Sequence, residues 1–280
     1  MEPLNYLRQA LTSSNLTESY RFDMALARKA PKFILPPTGC IFDDELKALP
    51  STIKLPYPTI VIEFSGDIYA EEKKAFGPRT FKDHDPGTML HDKHVVIATQ
   101  ENDGPIFIRH IMHCVAVDGE SWVFPSISAC LMPSVEDPIN KNGWSIIPCR
   151  AEKPELLIEP RFNDAFRAVM MPGARAVCEL IEALSCSNVK ETTLPVRKLT
   201  SAAKRRGALP YDEYRILTID TAQGGALNSG DGLSDNQRRR REHLRRGHVR
   251  TYRSGLKVWI QPQVINAGIG GKIVKDYLVK

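Results

Sequence analysis

Ile106-Phe107-Ile108-Arg109-His110-Ile111-Met112-His113-Cys114-Val115-Ala116-Val117-Asp118-Gly119-Glu120-Ser121-Trp122-Val123-Phe124-Pro125-Ser126-Ile127 is the stretch on which the fold turns. Two runs, 106–117 and 122–127, are rich in β-branched and aromatic residues, which suit the pleated, half-buried surface of a strand. Asp118-Gly119 between them provides the positive-φ positions of a tight hairpin. The reading is an antiparallel pair. Working outward, residues 59–64 (Thr-Ile-Val-Ile-Glu-Phe) predict a strand and residues 94–99 another, with a polar loop over 65–92 between them. Four strands in succession make an antiparallel meander.

A sheet buries its apolar face against something. Residues 161–186 change period: Phe162, Phe166, Val169, Met170, Gly173, Val177, Leu180, Ile181 and Leu184 share one helical face. Pro172 lies among them, has no N–H to give and predicts a kink or a split into two helices. Leu4, Leu7 and Leu11, then Tyr20, Met24 and Ala27, mark two shorter helical faces. The prolines at 36–37 and within 50–58 predict turns, and residues 214–219 a further strand. The fold class is therefore α+β, an antiparallel meander covered by helices, with a small basic C-terminal β-hairpin module. The division is an α+β body over 1–221, a flexible linker over 222–237 rich in Gly, Ser, Asn and Asp, and the basic module over 238–280.

Charge supports that division. Residues 238–280 carry 12 Lys/Arg against Glu242 and Asp276, a net +10, so the remainder carries −5 toward the chain total of +5. A mildly acidic body with a strongly basic end implies two tasks, one of them electrostatic. No run approaches 18 apolar residues, so no membrane span or membrane partner is expected. The opening Met1-Glu2-Pro3-Leu4-Asn5-Tyr6 lacks the basic start and apolar core of a secretion signal. Cys40, Cys114, Cys130, Cys149, Cys178 and Cys186 are scattered without a C-x-x-C pair, as expected of reduced thiols in a cytoplasm.

Within the basic module, Ser254-Gly255 reads as a two-residue turn. It would pair Tyr252 with Lys257, Thr251 with Val258 and Arg250 with Trp259. Alternation then places Val249, Thr251, Leu256, Val258 and Ile260 on a core face. His248, Arg250, Tyr252, Lys257, Trp259 and Gln261 fall on the other. Cations interleaved with rings neutralise phosphates and stack on unpaired bases. Together with Arg245 and Arg246 they form a candidate nucleic-acid-binding face; Arg packed on Trp across a hairpin also serves as ordinary surface packing. His243 and His248 beside Arg245, Arg246 and Tyr252 contain the residue types of a small acid/base ribonuclease, an alternative reading. His91-x-x-His94 and His110-x-x-His113 resemble metal spacings, but His110 and His113 on one strand point to opposite faces and nothing completes a site. The sequence has no P-loop, dinucleotide glycine fingerprint or G-x-S-x-G, and no cofactor is expected.

The series His243-Leu-Arg-Arg-Gly-His248, then Tyr252, Lys257-Val258-Trp259, Pro262 and Asn266, resembles the C-terminal region of the type V-A anti-CRISPR family that suppresses production of the Cas effector nuclease. The likeness continues more weakly at Lys204-Arg205-Arg206-Gly207 with Pro210 and Tyr214, and at Leu55-Pro56 before Val61-Ile62-Glu63. It carries over to His243, Arg245, Arg246, Gly247, His248, Tyr252, Trp259 and Pro262 only. The resemblance implies a phage- or plasmid-borne protein acting in the host bacterial cytoplasm. Such a protein recognises the N-terminal peptide of its target as it emerges during translation and causes loss of that target's messenger RNA. The expected partners are then RNA or the translating ribosome, and the nascent host polypeptide. A plain nucleic-acid-binding accessory protein is the third reading.

Overall fold

The computed structural model describes residues 4–12, 18–42, 54–66, 89–116, 119–125, 127–133, 144–151, 160–195, 201, 205, 212–219, 243–245, 248–260 and 263–265. The expected linker at 222–237 lies outside the described residues.

Short helix α1 (Tyr6–Leu11) and α2 (Glu18–Lys29) lead into β1 (Lys32–Ile34). After a 3-10 turn at Pro37–Gly39 come β2 (Thr59–Ser65), β3 (Met89–Gln100), β4 (Ile106–Ala116), β5 (Gly119–Val123), β6 (Ile127–Pro133) and β7 (Trp144–Ala151). The long helix α3 (Pro160–Leu184) precedes β8 (Val189–Thr193) and β9 (Tyr214–Ile219). Four short strands follow: β10 (His243–Arg245), β11 (His248–Thr251), β12 (Lys257–Ile260) and β13 (Gln263–Ile265).

Among the described residues, nine strands form one sheet in the order β7-β6-β4-β3-β2-β1-β9-β8, with β5 paired to the far end of β4. The α+β reading holds, but the sheet is mixed rather than a meander alone. β2, β3 and β4 are antiparallel neighbours, whereas β1 runs parallel to both β2 and β9. β3 begins at Met89, five residues before the expected His94, and a bulge between His91 and Lys93 absorbs the irregularity.

Both faces of the sheet are covered, which is why its central strands read as near-continuous apolar runs. Ile60, Ile62 and Phe64 of β2, Val96 and Ala98 of β3, and Ile106 and Ile108 of β4 pack under Phe166, Met170, Val177 and Ile181 of α3. The reverse face places Val61, Val95, Ile97 and Ile111 against Leu7, Ala10, Tyr20 and Met24 of α1 and α2. Arg109, nearly buried on that face, pairs with Asp23 of α2 at 2.7 Å.

Of the two expected outcomes, a split does not occur: the helix runs from Pro160 to Leu184 with Pro172 inside it. The sheet also holds this part of the helix. On the turn before the proline, the Val169 carbonyl accepts a hydrogen bond from His110 Nδ1 at 2.8 Å. Gly173 makes the close approach possible, since a Cβ there would stand 3.1 Å from His110 Cγ.

Candidate nucleic-acid interface

The ribbon formed by β11 and β12 begins with its loop. Tyr252 N–H donates to the Leu256 carbonyl at 2.8 Å and Gly255 N–H to the Tyr252 carbonyl at 2.9 Å. The loop is therefore the three residues Arg253-Ser254-Gly255, and Gly255 alone takes the left-handed conformation, at φ 83°. A two-residue turn of the type expected would require a left-handed residue at its first central position, which Ser254 does not supply. The extra loop residue moves the register by one. Thr251 pairs with Lys257, Arg250 with Val258, Val249 with Trp259 and His248 with Ile260.

A one-residue shift exchanges faces. Val249, Thr251, Lys257 and Trp259 share one face; His248, Arg250, Val258 and Ile260 share the other. The predicted sorting of the hairpin is thus corrected, and Trp259 and Lys257 do not stand beside Arg250 on an open platform. Trp259 is buried and stacks on Phe42, with centroids 4.5 Å apart and planes 29° apart. The two rings close a small apolar cluster with Ala183, Cys186 and Val189. The side chain of Asn188 acts like a strip of strand. Its Nδ2 donates to the Trp259 carbonyl at 2.9 Å, and its Oδ1 accepts from Trp259 N–H at 2.8 Å. Ser187 N–H donates to the Lys257 carbonyl, and Lys257 Nζ lies 2.8 Å from a carboxylate oxygen of Glu182, itself almost wholly buried.

The loop end is different. Residues 250–256 are all exposed, Leu256 and Tyr252 among them. Arg250 lies over the Tyr252 ring, 4.9 Å from its centroid, a cation–ring pair facing solvent. Of the other residues singled out from the sequence, His248 is half-buried in β11. The side chains of His243 and Arg245 lie outside the described residues, as does Arg246 as a whole. The β10–β13 pair was not anticipated. It sets His243 opposite Ile265 and Arg245 opposite Gln263, with the same offset as the β11–β12 pair but as a separate two-stranded sheet.

Phe42 is fixed from the other side. Glu179, wholly buried on α3, accepts from Phe42 N–H at 2.9 Å and from Ile41 N–H, and pairs with Arg175 at 2.7 Å. The last turns of α3 therefore hold both partners of the Phe42–Trp259 stack.

Sequence reasoning passed over a second polar constellation. Glu63 of β2 is wholly buried. Its carboxylate accepts from Tyr6 N–H (3.0 Å), Leu7 N–H (2.8 Å) and Tyr214 O–H (3.0 Å), while Asn5 N–H donates to the Tyr214 hydroxyl at 3.0 Å. Glu63 thus fastens the start of α1 to the centre of the sheet. Its one sequence signal is a carboxylate in an otherwise apolar strand. Burial raises its pKa to about 6, against the opposing hydrogen bonds of Leu7, Tyr6 and Tyr214. Because the folded value lies above the ordinary 4.5, the associated stability is fully present below about pH 4.5 and lost as pH rises through 6. The loss is about 2 kcal/mol. Urea titrations of wild type and Glu63→Gln at pH 4.5 and 6.5 check this; the variant is expected to lack the change. Nearby, His113 sits between Asp92 (2.8 Å) and Glu120 (3.6 Å), edge-on to Trp122, on the face opposite His110 as expected. Among the described residues, no group of three or more His, Cys, Asp or Glu is arranged to hold a metal ion, and no helix is long and apolar enough to cross a membrane.

Comparison with known proteins gives no match among curated proteins and none among solved structures. One family model does match, described as AcrVA2-like, anti-CRISPR type V subtype A2 family, over residues 42–267. The matched span begins at Phe42 and includes the whole ribbon.

Proposed function

The chain belongs to the AcrVA2-like family, the anti-CRISPR type V subtype A2 family, and from that premise we propose that it lowers the expression of a host protein after transcription. It recognises the N-terminal peptide of that protein as it leaves the ribosome, and promotes loss of the messenger RNA. The basic module contacts RNA or the translating ribosome in the host bacterial cytoplasm, through Arg245, Arg246, His248, Arg250 and Tyr252. Lys257 and Trp259 serve this contact as the anchor that presents the loop end.

The observation that supports this reading is the anchored ribbon. Its root is held by the Phe42–Trp259 stack and the Asn188 and Glu182 contacts, while its loop end presents Arg250, Tyr252 and Arg253 to solvent. A cation over an exposed ring, on a fixed support, suits phosphate neutralisation combined with base stacking. The ribonuclease alternative is less well served. His243 belongs to β10 and His248 to β11, strands of two separate pairs.

Arg250→Ala tests the contact. Binding of single-stranded RNA to the wild type is expected to weaken steeply with salt, and the variant to lose about 0.7 from the logarithmic slope, the share of one phosphate. A slope unchanged by the substitution would remove Arg250 from the interface, and salt-independent binding would remove RNA from the proposal. Ribosome co-sedimentation, with sequencing of transcripts in cells with and without the protein, tests the remainder. The expected result is loss of a transcript only while it is being translated.

A further inference from the structure

His94 of β3 and His110 of β4 are both wholly buried, side by side beneath α3. Three contacts use all four of their ring nitrogens. His94 Nε2 lies 3.0 Å from the Gly66 carbonyl oxygen. His94 Nδ1 lies 3.1 Å from His110 Nε2. His110 Nδ1 lies 2.8 Å from the Val169 carbonyl oxygen. A carbonyl oxygen only accepts, so both outer nitrogens must carry protons. The inner contact needs one proton between two nitrogens. The count is three protons on two rings, one more than two neutral imidazoles possess.

We propose that His94 and His110 bind one proton between them as part of the fold, forming a buried imidazolium–imidazole pair that ties β3 and β4 to α3 and to the turn at Gly66. With only two protons, either two lone pairs face each other at 3.1 Å or one of the two carbonyls loses its histidine donor. The surroundings suit a cation. The Phe64 ring stacks on His94, centroids 4.7 Å apart and planes 13° apart, presenting its negative face. Among the described residues, this side also carries the Cys178 thiol and the Arg175–Glu179 pair of α3, whose charges are matched, and Cys40 beyond the 3-10 turn. Glu63 of β2, Lys93 and Asp92 of β3, and Arg109 and His113 of β4 are engaged on the reverse face.

An unfolded histidine titrates near ~6.5. Above that value the unfolded chain carries two neutral imidazoles, while the folded chain holds the extra proton taken from solvent. Folding then becomes about tenfold less favourable for each unit of pH, until the pair releases its proton. The window from about pH 6.5 to 8 lies above the titration of Glu63, at about 6, and below the buried thiols of Cys114, Cys178 and Cys186, at about 11, 12 and 11.

The test uses the full chain. His94→Gln provides a terminal amide with two N–H groups, enough to reach both the Gly66 carbonyl and His110 Nε2 without charge. Wild type is expected to show the tenfold-per-unit dependence of its urea unfolding constant between pH 7 and 8. The variant is expected to lose it. Long-range proton–nitrogen spectra of wild type are expected to show three protonated ring nitrogens in the pair at pH 7, and this measurement decides the matter if the variant does not fold. Two protonated nitrogens at pH 7, or a wild-type slope that persists in a folded variant, would overturn the proposal.

Discussion

Trp259→Ala is expected to release the ribbon from the body and to lower stability by about 3 kcal/mol. The residue is 8 % exposed, stacks on Phe42, and its backbone N–H donates to Asn188 Oδ1 while its carbonyl accepts from Asn188 Nδ2. The value sits at the low end for aromatic truncation because the indole Nε1 is buried without a hydrogen-bond partner among the described residues. Its removal recovers part of the desolvation cost. Trp259→Phe retains a ring over Phe42, loses the orphaned donor and is expected to remain close to wild type. Amide exchange at residues 248–260 checks the mechanism: protection is lost in the alanine variant and retained in the phenylalanine variant. RNA binding should follow protection. If the alanine variant keeps its exchange protection yet loses RNA affinity, Trp259 contacts a base directly and the anchoring role is wrong.

Glu63→Ala is expected to cost at least 3 kcal/mol and to free α1 from the sheet. Truncation strands the N–H groups of Tyr6 and Leu7 and the hydroxyl of Tyr214 in an apolar layer, at about 1–3 kcal/mol for each left unsatisfied. Burial and the neighbouring Glu63 charge already hold the Tyr214 hydroxyl well above the ordinary phenol range, so that proton stays in place as a donor. Exchange at residues 6–11 and the urea midpoint report the two parts of the effect. A loss under 1 kcal/mol with α1 still protected would show that α1 is held by its apolar contacts instead.

Much of this framework was legible because it was periodic. Leu7, Tyr20, Met24 and Ala27 are buried where their spacing placed them, and the face of α3 carries Phe166, Met170, Val177 and Ile181 into the core. The strands that escaped notice lack that signal. β8 reads Val-Lys-Glu-Thr-Thr, polar because it is an edge strand with one buried residue. β1 is three residues long and wholly buried, leaving no alternation to detect. β6 reads Ile-Ser-Ala-Cys-Leu-Met-Pro, with a single β-branched residue. At the candidate interface the residue types were visible but their grouping was not. Arg253-Ser254-Gly255 fits loops of two or three residues, and that one-residue ambiguity decides whether Trp259 faces solvent or Phe42.

The place of β1 in the sheet bears on how the chain reaches its native state. β1 is flanked by β2 on one side and by β9, some 180 residues later, on the other. Asn5 likewise waits for Tyr214 across a separation of 209 residues. Such distant pairings form slowly, because the intervening chain gives up its loop entropy before the contact returns any stability. During synthesis the parallel edge of β1 stays open until β9 has left the ribosome, and an open apolar edge invites pairing with other chains. Fragments ending before Tyr214 should therefore aggregate, while a chain extending through Ile219 closes its own sheet.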